Sequence, residues 1–283
     1  MIVDKMYAED IVHYLEENDP DLNHIKAIIE GLEQSGHKIN LNNHESTKVS
    51  KLHMAIILGE IFLVKELLQS GHQVNCQTRR NISPLLLAVF FDRDEIVTLL
   101  LKNGANPNQS SEPYFETPLQ MAVIWGKGLA IEKMLNHGAD LKSKVGTGCS
   151  VLHLAIKYNH VEIAKLLMKK AVNVSSANNV LQTPLHLAVI LRRYEIIPCL
   201  LDYGANMNAT NYSKSTPLQI ATKHCLTEAM EILMKRGACL RQKNENGEIP
   251  IELCLTSIGY GYTHEPRMRI AQRALTSFAF NLH

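Results

Sequence analysis

Three histidines recur behind a leucine, as Leu52-His53, Leu152-His153 and Leu185-His186. Imidazole is both a metal ligand and a proton carrier near neutral pH. A shared metal ion would need its ligands about 2 Å from one centre. Each of these histidines instead lies at least one copy of a repeated phrase away from the next, too far to share an ion. The reading they support is structural: each imidazole ties the start of a helix to a neighbouring turn. The cysteines, at 76, 149, 199, 225, 239 and 254, contain no Cys-x-x-Cys pair. They read as small buried hydrophobes in a reducing compartment, with no disulfide and no zinc. No Gly-rich phosphate loop, His-Glu-x-x-His or Gly-x-Ser-x-Gly phrase occurs. Acid–base catalysis needs groups that converge in a water-poor pocket, and nothing here converges. Neither an enzyme nor a cofactor is expected.

The elements that carry these histidines repeat along the chain. Leu52, Leu85, Leu119, Leu152, Leu185, Leu218 and Ile251 are spaced 33 or 34 residues apart. Each heads a variant of one phrase, such as Pro184-Leu185-His186-Leu187-Ala188. Nineteen residues past the anchor stands a glycine: Gly71, Gly104, Gly138, Gly204 and Gly237, with Ala171 in its place in the fourth copy. Glycine just after an apolar helical run reads as a left-handed C-terminal cap. Ala171 therefore predicts a slightly weaker repeat. Thr117-Pro118, Thr183-Pro184 and Thr216-Pro217 place a capping hydroxyl before a proline, which starts a helix without losing a bonded N–H. A second helix follows with apolar residues at i, i+3 and i+4, as in Val161, Ala164, Leu166 and Leu167. Polar loops such as Asn206-Met207-Asn208 close each unit. A fixed period of this size means a solenoid, which offers an extended face to macromolecules.

Helix, helix and hairpin, written with Thr-Pro-Leu-His-Leu-Ala and Gly-Ala-Asn-x-Asn, resemble the ankyrin repeat. The resemblance covers residues 46–257 in seven copies and implies an all-α ankyrin-repeat solenoid of stacked helix–turn–helix units with short loops or hairpins. Residues 1–45 read as a degenerate, acidic N-terminal capping repeat. Residues 258–283 read as a C-terminal capping helix with Arg267, Arg269 and Arg273. The register is unbroken by any linker, so one elongated domain is expected.

The net charge is +1, so no nucleic-acid or membrane footprint is expected. No apolar run approaches membrane-spanning length. The chain reads as a cytoplasmic or nuclear monomer that binds protein partners.

The positions that the repeat leaves free carry the binding prediction. The resemblance implies that residues five and six past the anchor line the concave side. They read Ile57-Leu58, Phe90-Phe91, Ile124-Trp125, Lys157-Tyr158, Ile190-Leu191 and Lys223-His224. Ile57, Ile124 and Ile190 are expected in the core. Leu58, Phe90, Phe91, Trp125, Tyr158 and Leu191 are expected to form an apolar, aromatic groove. The tip residues Arg79, Arg80, Tyr114 and Tyr212 would flank it, with Phe115 beside them. One buried aromatic removes ~150–250 Å² from water, worth several kcal/mol before the costs of binding.

Three narrower readings stay open. The phrase from Asn178 to Ile190 is similar to one in inhibitor-of-NF-κB proteins, although the Asp-Ser-Gly degron and acidic tail of that family are missing. A targeting subunit that brings an enzyme such as a ubiquitin ligase to its substrate is another, although no SOCS-box pattern follows Ile251. A pathogen effector is the third. Asn40 and Asn75, each eight residues after a leucine and one after an aliphatic residue, resemble the preference of the asparaginyl hydroxylase that modifies ankyrin repeats. Simple satisfaction of hairpin backbone groups explains the same asparagines.

Overall fold

The computed structural model describes residues 50–78, 81–111 and 116–256. The expected capping elements at both ends, Asn40, and the tip residues Arg79, Arg80, Tyr114 and Phe115 lie outside the described residues. All secondary structure among the described residues is helical, apart from one isolated bridge between Lys144 and Ser150.

The chain divides after Asp140 into two compact units. The first contains α1 (Lys51–Leu58), α2 (Ile61–Gln69), α3 (Pro84–Phe90), α4 (Asp94–Lys102), α5 (Pro118–Ile124) and α6 (Gly128–Asn136). The second contains α7 (Val151–Lys157), α8 (Val161–Lys169), α9 (Pro184–Ile190), α10 (Ile196–Asp202), α11 (Pro217–Lys223), α12 (Thr227–Lys235) and α13 (Pro250–Thr256). Within each unit the two helices of a repeat pack on each other and on the equivalent helices of the next repeat.

The starts of the first helices follow from the hydroxyl before the proline or leucine. Ser83, Thr117, Thr183 and Thr216 accept the N–H three residues on through their side chains. The ends follow from one left-handed residue. Gly59, Asp92, Gly126, Asn159, Arg192 and Cys225 all have positive φ. The next N–H in each case reaches back to the carbonyl of a buried alanine, as in Arg193 to Ala188 at 2.8 Å and Leu226 to Ala221 at 2.8 Å. These alanines, Ala55, Ala88, Ala122, Ala155, Ala188 and Ala221, are completely buried, and their small size lets helices approach closely. The anchor leucines beside them are at most 1% exposed.

The second helices bury one stripe each, such as Ile96, Val97, Leu100 and Leu101 in α4. Pro198 is tolerated in α10 because it sits in the first turn, where an N–H has no helical acceptor. Each of these helices ends on the predicted left-handed residue. Gly71, Gly104, Gly138, Gly204 and Gly237 have φ between 84° and 87°, and Ala171 has φ 58°. The Ala171 repeat closes more loosely. Its Val172 N–H lies 3.3 Å from the Leu167 carbonyl, against 2.9 Å for Ala205 to Leu200 and 3.0 Å for Ala238 to Leu233.

The cysteines differ from the core expectation. Cys76, Cys149, Cys199 and Cys225 are half-buried and Cys239 is exposed; all five are free thiols. Cys76, Cys149, Cys225 and Cys239 lie in turns or loops, and Cys199 lies in the middle of α10 but off its buried stripe of Ile196, Ile197 and Leu200.

Candidate partner-binding surface

The histidines act as the sequence suggests. Nδ1 of His53 accepts the Ser50 N–H at 3.2 Å, and Nε2 faces the Ile82 carbonyl at 3.2 Å. With Nδ1 accepting, the proton is on Nε2, which donates to that carbonyl. His153 makes the same pair of bonds to Ser150 and Gln182, and His186 to Thr183 and Ser215. Burial pushes His53 and His186 down to about 4 and lowers His153. A second proton would also turn Nδ1 into a donor facing a donor. Gln219 fills the same role with an amide: Oε1 accepts from the Thr216 N–H at 2.8 Å, and Nε2 donates to the Gln242 carbonyl at 2.8 Å and the Glu248 carbonyl at 3.0 Å. Oε1 of Gln120 likewise accepts the Thr117 N–H at 2.8 Å. The three histidines and Gln219 hold adjacent repeats together, and among the described residues no cluster of three or more candidate ligands could hold a metal ion.

In the first unit the free positions form an aromatic ledge at the ends of α1, α3 and α5. Phe90 is the last residue of α3, and Phe91 and Trp125 are the caps that follow α3 and α5. The Phe90 ring stands edge-on to Phe91, with centroids 5.0 Å apart, and edge-on to Trp125, also at 5.0 Å. All three are half-buried, as is Leu58. The indole Nε1 of Trp125 is buried without an acceptor. Ile57 and Ile124, on either side of Phe90 in the repeat order, are core residues at 5% and 6% exposure. Charge at the ledge is locally balanced: Lys127 pairs with Asp92 at 3.0 Å, and Arg93 reaches the Ile57 carbonyl at 3.4 Å.

In the second unit the same positions carry Lys157-Tyr158, Ile190-Leu191 and Lys223-His224, at the ends of α7, α9 and α11. Tyr158 and Leu191 are half-buried. The Lys157 ammonium sits 5.4 Å from the Tyr158 ring centroid. Ile190 departs from expectation: it is 38% exposed, not core. Its equivalents in the adjoining repeats are lysines, whose long polar side chains do not cover it. Tyr212, at 77% exposure, stands on a hairpin tip, and its N–H donates to the Val180 carbonyl of the preceding tip at 3.1 Å. Val180 and Leu181 are also about half exposed there, an apolar tip outside the predicted set.

The tip asparagines are clamps. Asn75 Nδ2 donates to the Gly104 carbonyl at 3.1 Å, and its Oδ1 accepts the Asn106 N–H at 2.8 Å. Asn108 repeats the arrangement with Gly138 and Asp140.

Comparison with known proteins gives consistent matches. A family model described as ankyrin repeats (three copies) matches residues 12–111, 52–145, 119–211 and 174–245, so that its matches extend over most of the chain. A putative ankyrin repeat protein of fowlpox virus is 33% identical over 133 residues, 46% of this chain and 39% of that protein. Neurogenic locus notch homolog protein 1 of Danio rerio is 30% identical over 149 residues, 52% of this chain and 6% of that protein. The chain therefore spans less than half the length of these relatives. Among solved structures, the ankyrin repeat domain of Bcl-3, a member of the IkappaB protein family, superposes with TM-score 0.69 at 26% identity, covering 72% of this chain and 93% of that one. The human ASB11 ankyrin repeat domain gives TM-score 0.63 at 27% identity, covering 78% and 97%.

Proposed function

Since the chain belongs to the ankyrin-repeat family, we propose that it is a non-enzymatic module that binds a protein partner through the ends of its first helices. The observation that carries this reading is the aromatic ledge of Phe90, Phe91 and Trp125. Three large half-covered rings stand at the ends of α3 and α5, and Phe90 braces the other two edge-on. Burying them against a partner removes apolar area at little further cost in side-chain entropy. Aromatic residues at such a centre are the usual interface anchors. Leu58 extends the ledge in the first unit. Tyr158 and Leu191 offer a second contact area in their own unit, with Tyr212 at the tips.

A regulator of the inhibitor-of-NF-κB kind is the second reading, favoured by the Bcl-3 domain likeness and by the phrase from Asn178 to Ile190. An adaptor role is consistent with the ASB11 domain likeness. Affinity capture with wild type and with Trp125→Ala, compared by mass spectrometry, tests the principal reading. Partners lost with the variant support the ledge, and an unchanged set of partners contradicts it.

A further inference from the structure

The two units differ in what their helix ends present. In the first unit, the residues five past the anchor are Ile57, Phe90 and Ile124, and the nearby charges are paired within the unit. In the second, the same row reads Lys157, Ile190 and Lys223. Two steps further along the chain, Asn159, Arg192 and Cys225 take the left-handed position. The row thus holds an exposed isoleucine between two lysines, with Arg192 beside it. No carboxylate occupies the positions five to eight past the anchor in any of these three repeats.

Of the acidic residues that follow, Glu228 is exposed in the first turn of α12, and four others face cations of the second-helix rows. Glu162 pairs with Lys165 at 2.7 Å, and Glu195 also acts on Lys165. Asp202 pairs with Arg236 at 2.6 Å, and Glu231 with Lys235 at 3.5 Å. Arg193 is turned inward and lines a small cleft with Ile156 and Ile196. Arg192 and Lys223, both exposed, take part in none of these pairs. Burial lowers the pKa of the neighbouring His224, and the positive charges of Lys223 and Arg192 lower it further.

We propose that the helix ends of the second unit bind an acidic, amphipathic protein segment, with carboxylates against Lys157, Arg192 and Lys223 and one apolar side chain on Ile190 and Leu191. This deepens the protein-binding reading and rests on it. Charge complementarity selects the partner, because a positive row with an apolar centre favours negative charge on either side of an apolar residue. Neighbouring helices pack roughly 8–10 Å apart, so the two lysines lie about 16–20 Å apart. An extended chain rises about 3.3 Å per residue, which places the acidic residues some five or six positions apart. A nucleic acid is less well matched. Its charge is continuous, at about 3.4 Å per phosphate along a strand, and the isoleucine would interrupt its contacts.

The test uses the full chain and fluorescence anisotropy with three probes. The first is a labelled Ser-based peptide of about twelve residues, with a central Leu and a Glu pair on each side. The second carries Gln in place of Glu, and the third is a single-stranded oligonucleotide of similar length. The acidic peptide is expected to bind at least about fivefold more tightly than the Gln peptide, and to weaken in 0.5 M salt, where the Debye length falls to a few Å. Lys223→Glu is expected to weaken it about tenfold, and Arg192→Glu to weaken it to a similar degree. Both side chains are exposed, and an unchanged melting profile certifies each variant. Equal binding of the two peptides, no binding of either, or no loss in both folded variants overturns the proposal. Tighter binding of the oligonucleotide overturns it in favour of a nucleic-acid surface. Loss of captured partners with Trp125→Ala, alongside any of those outcomes, leaves the broader protein-binding reading standing and removes only this one.

Discussion

Nε2 of His186 donates to the carbonyl of Ser215, 3.1 Å away and 29 residues further along the chain. With Nδ1 receiving the Thr183 N–H, the one imidazole closes its own helix and fastens the following loop. Gln219 makes the same two connections with an amide. His186→Gln is therefore expected to cost less than about 1 kcal/mol. His186→Ala, which leaves buried groups on both sides unpaired, is expected to cost ~2–4 kcal/mol. Urea midpoints of the two variants check the difference.

Stability should depend on pH through the same residues. His53 and His186 are held at about 4 by burial, below their ordinary value of 6.5. The unfolded chain binds protons first as pH falls, so the stabilisation is complete above pH 6.5 and is lost between 6.5 and 4. Each histidine contributes at most about 3 kcal/mol. Glu116 has the opposite sign: burial raises it to about 7, so its contribution declines as pH rises from 4.5 towards 7. Denaturation of wild type and His186→Gln at pH 7 and pH 5 separates the two. The wild type should lose more stability on acidification than the variant, and equal losses would contradict the assignment.

Ala171 holds a left-handed conformation that costs a residue with a Cβ about 1 kcal/mol more than glycine. Ala171→Gly is expected to stabilise the chain by about that amount, read as a higher urea midpoint with an unchanged slope.

Asn108 bonds both a carbonyl and an N–H of the following repeat. Asn108→Ala should remove about 1–2 kcal/mol. Hydrogen exchange is expected to quicken at the amide of Asp140, whose N–H would lose its acceptor.

The sequence made the repeat legible because each recurring residue answers one local physical demand. The glycines meet a need for positive φ, the hydroxyls meet unpaired N–H groups, and the anchor leucines and alanines lie where helices touch. The exposure of the free positions was less legible, because it depends on neighbours 33 residues away. Ile57 and Ile124 are buried in a unit whose intervening residue is Phe90. Ile190 has the same place in its repeat and is exposed between Lys157 and Lys223. Among the left-handed residues, Arg192 and Cys225 are equally illegible in the sequence. The hydrogen-bond pattern of the turn demands their conformation, and neither side chain advertises it.

Trp125→Ala, measured for both melting temperature and partner capture, tests the central claim most directly. The ring is half-buried against Phe90, so truncation should cost folding only about 1–2 kcal/mol, well below the ~3–5 kcal/mol of a core aromatic. Partner affinity should fall by ~2–4 kcal/mol, as for an interface anchor. A small shift in melting temperature with a large loss of captured partner is the predicted result. A fall in melting temperature typical of a core residue, or binding that survives the truncation, would contradict it.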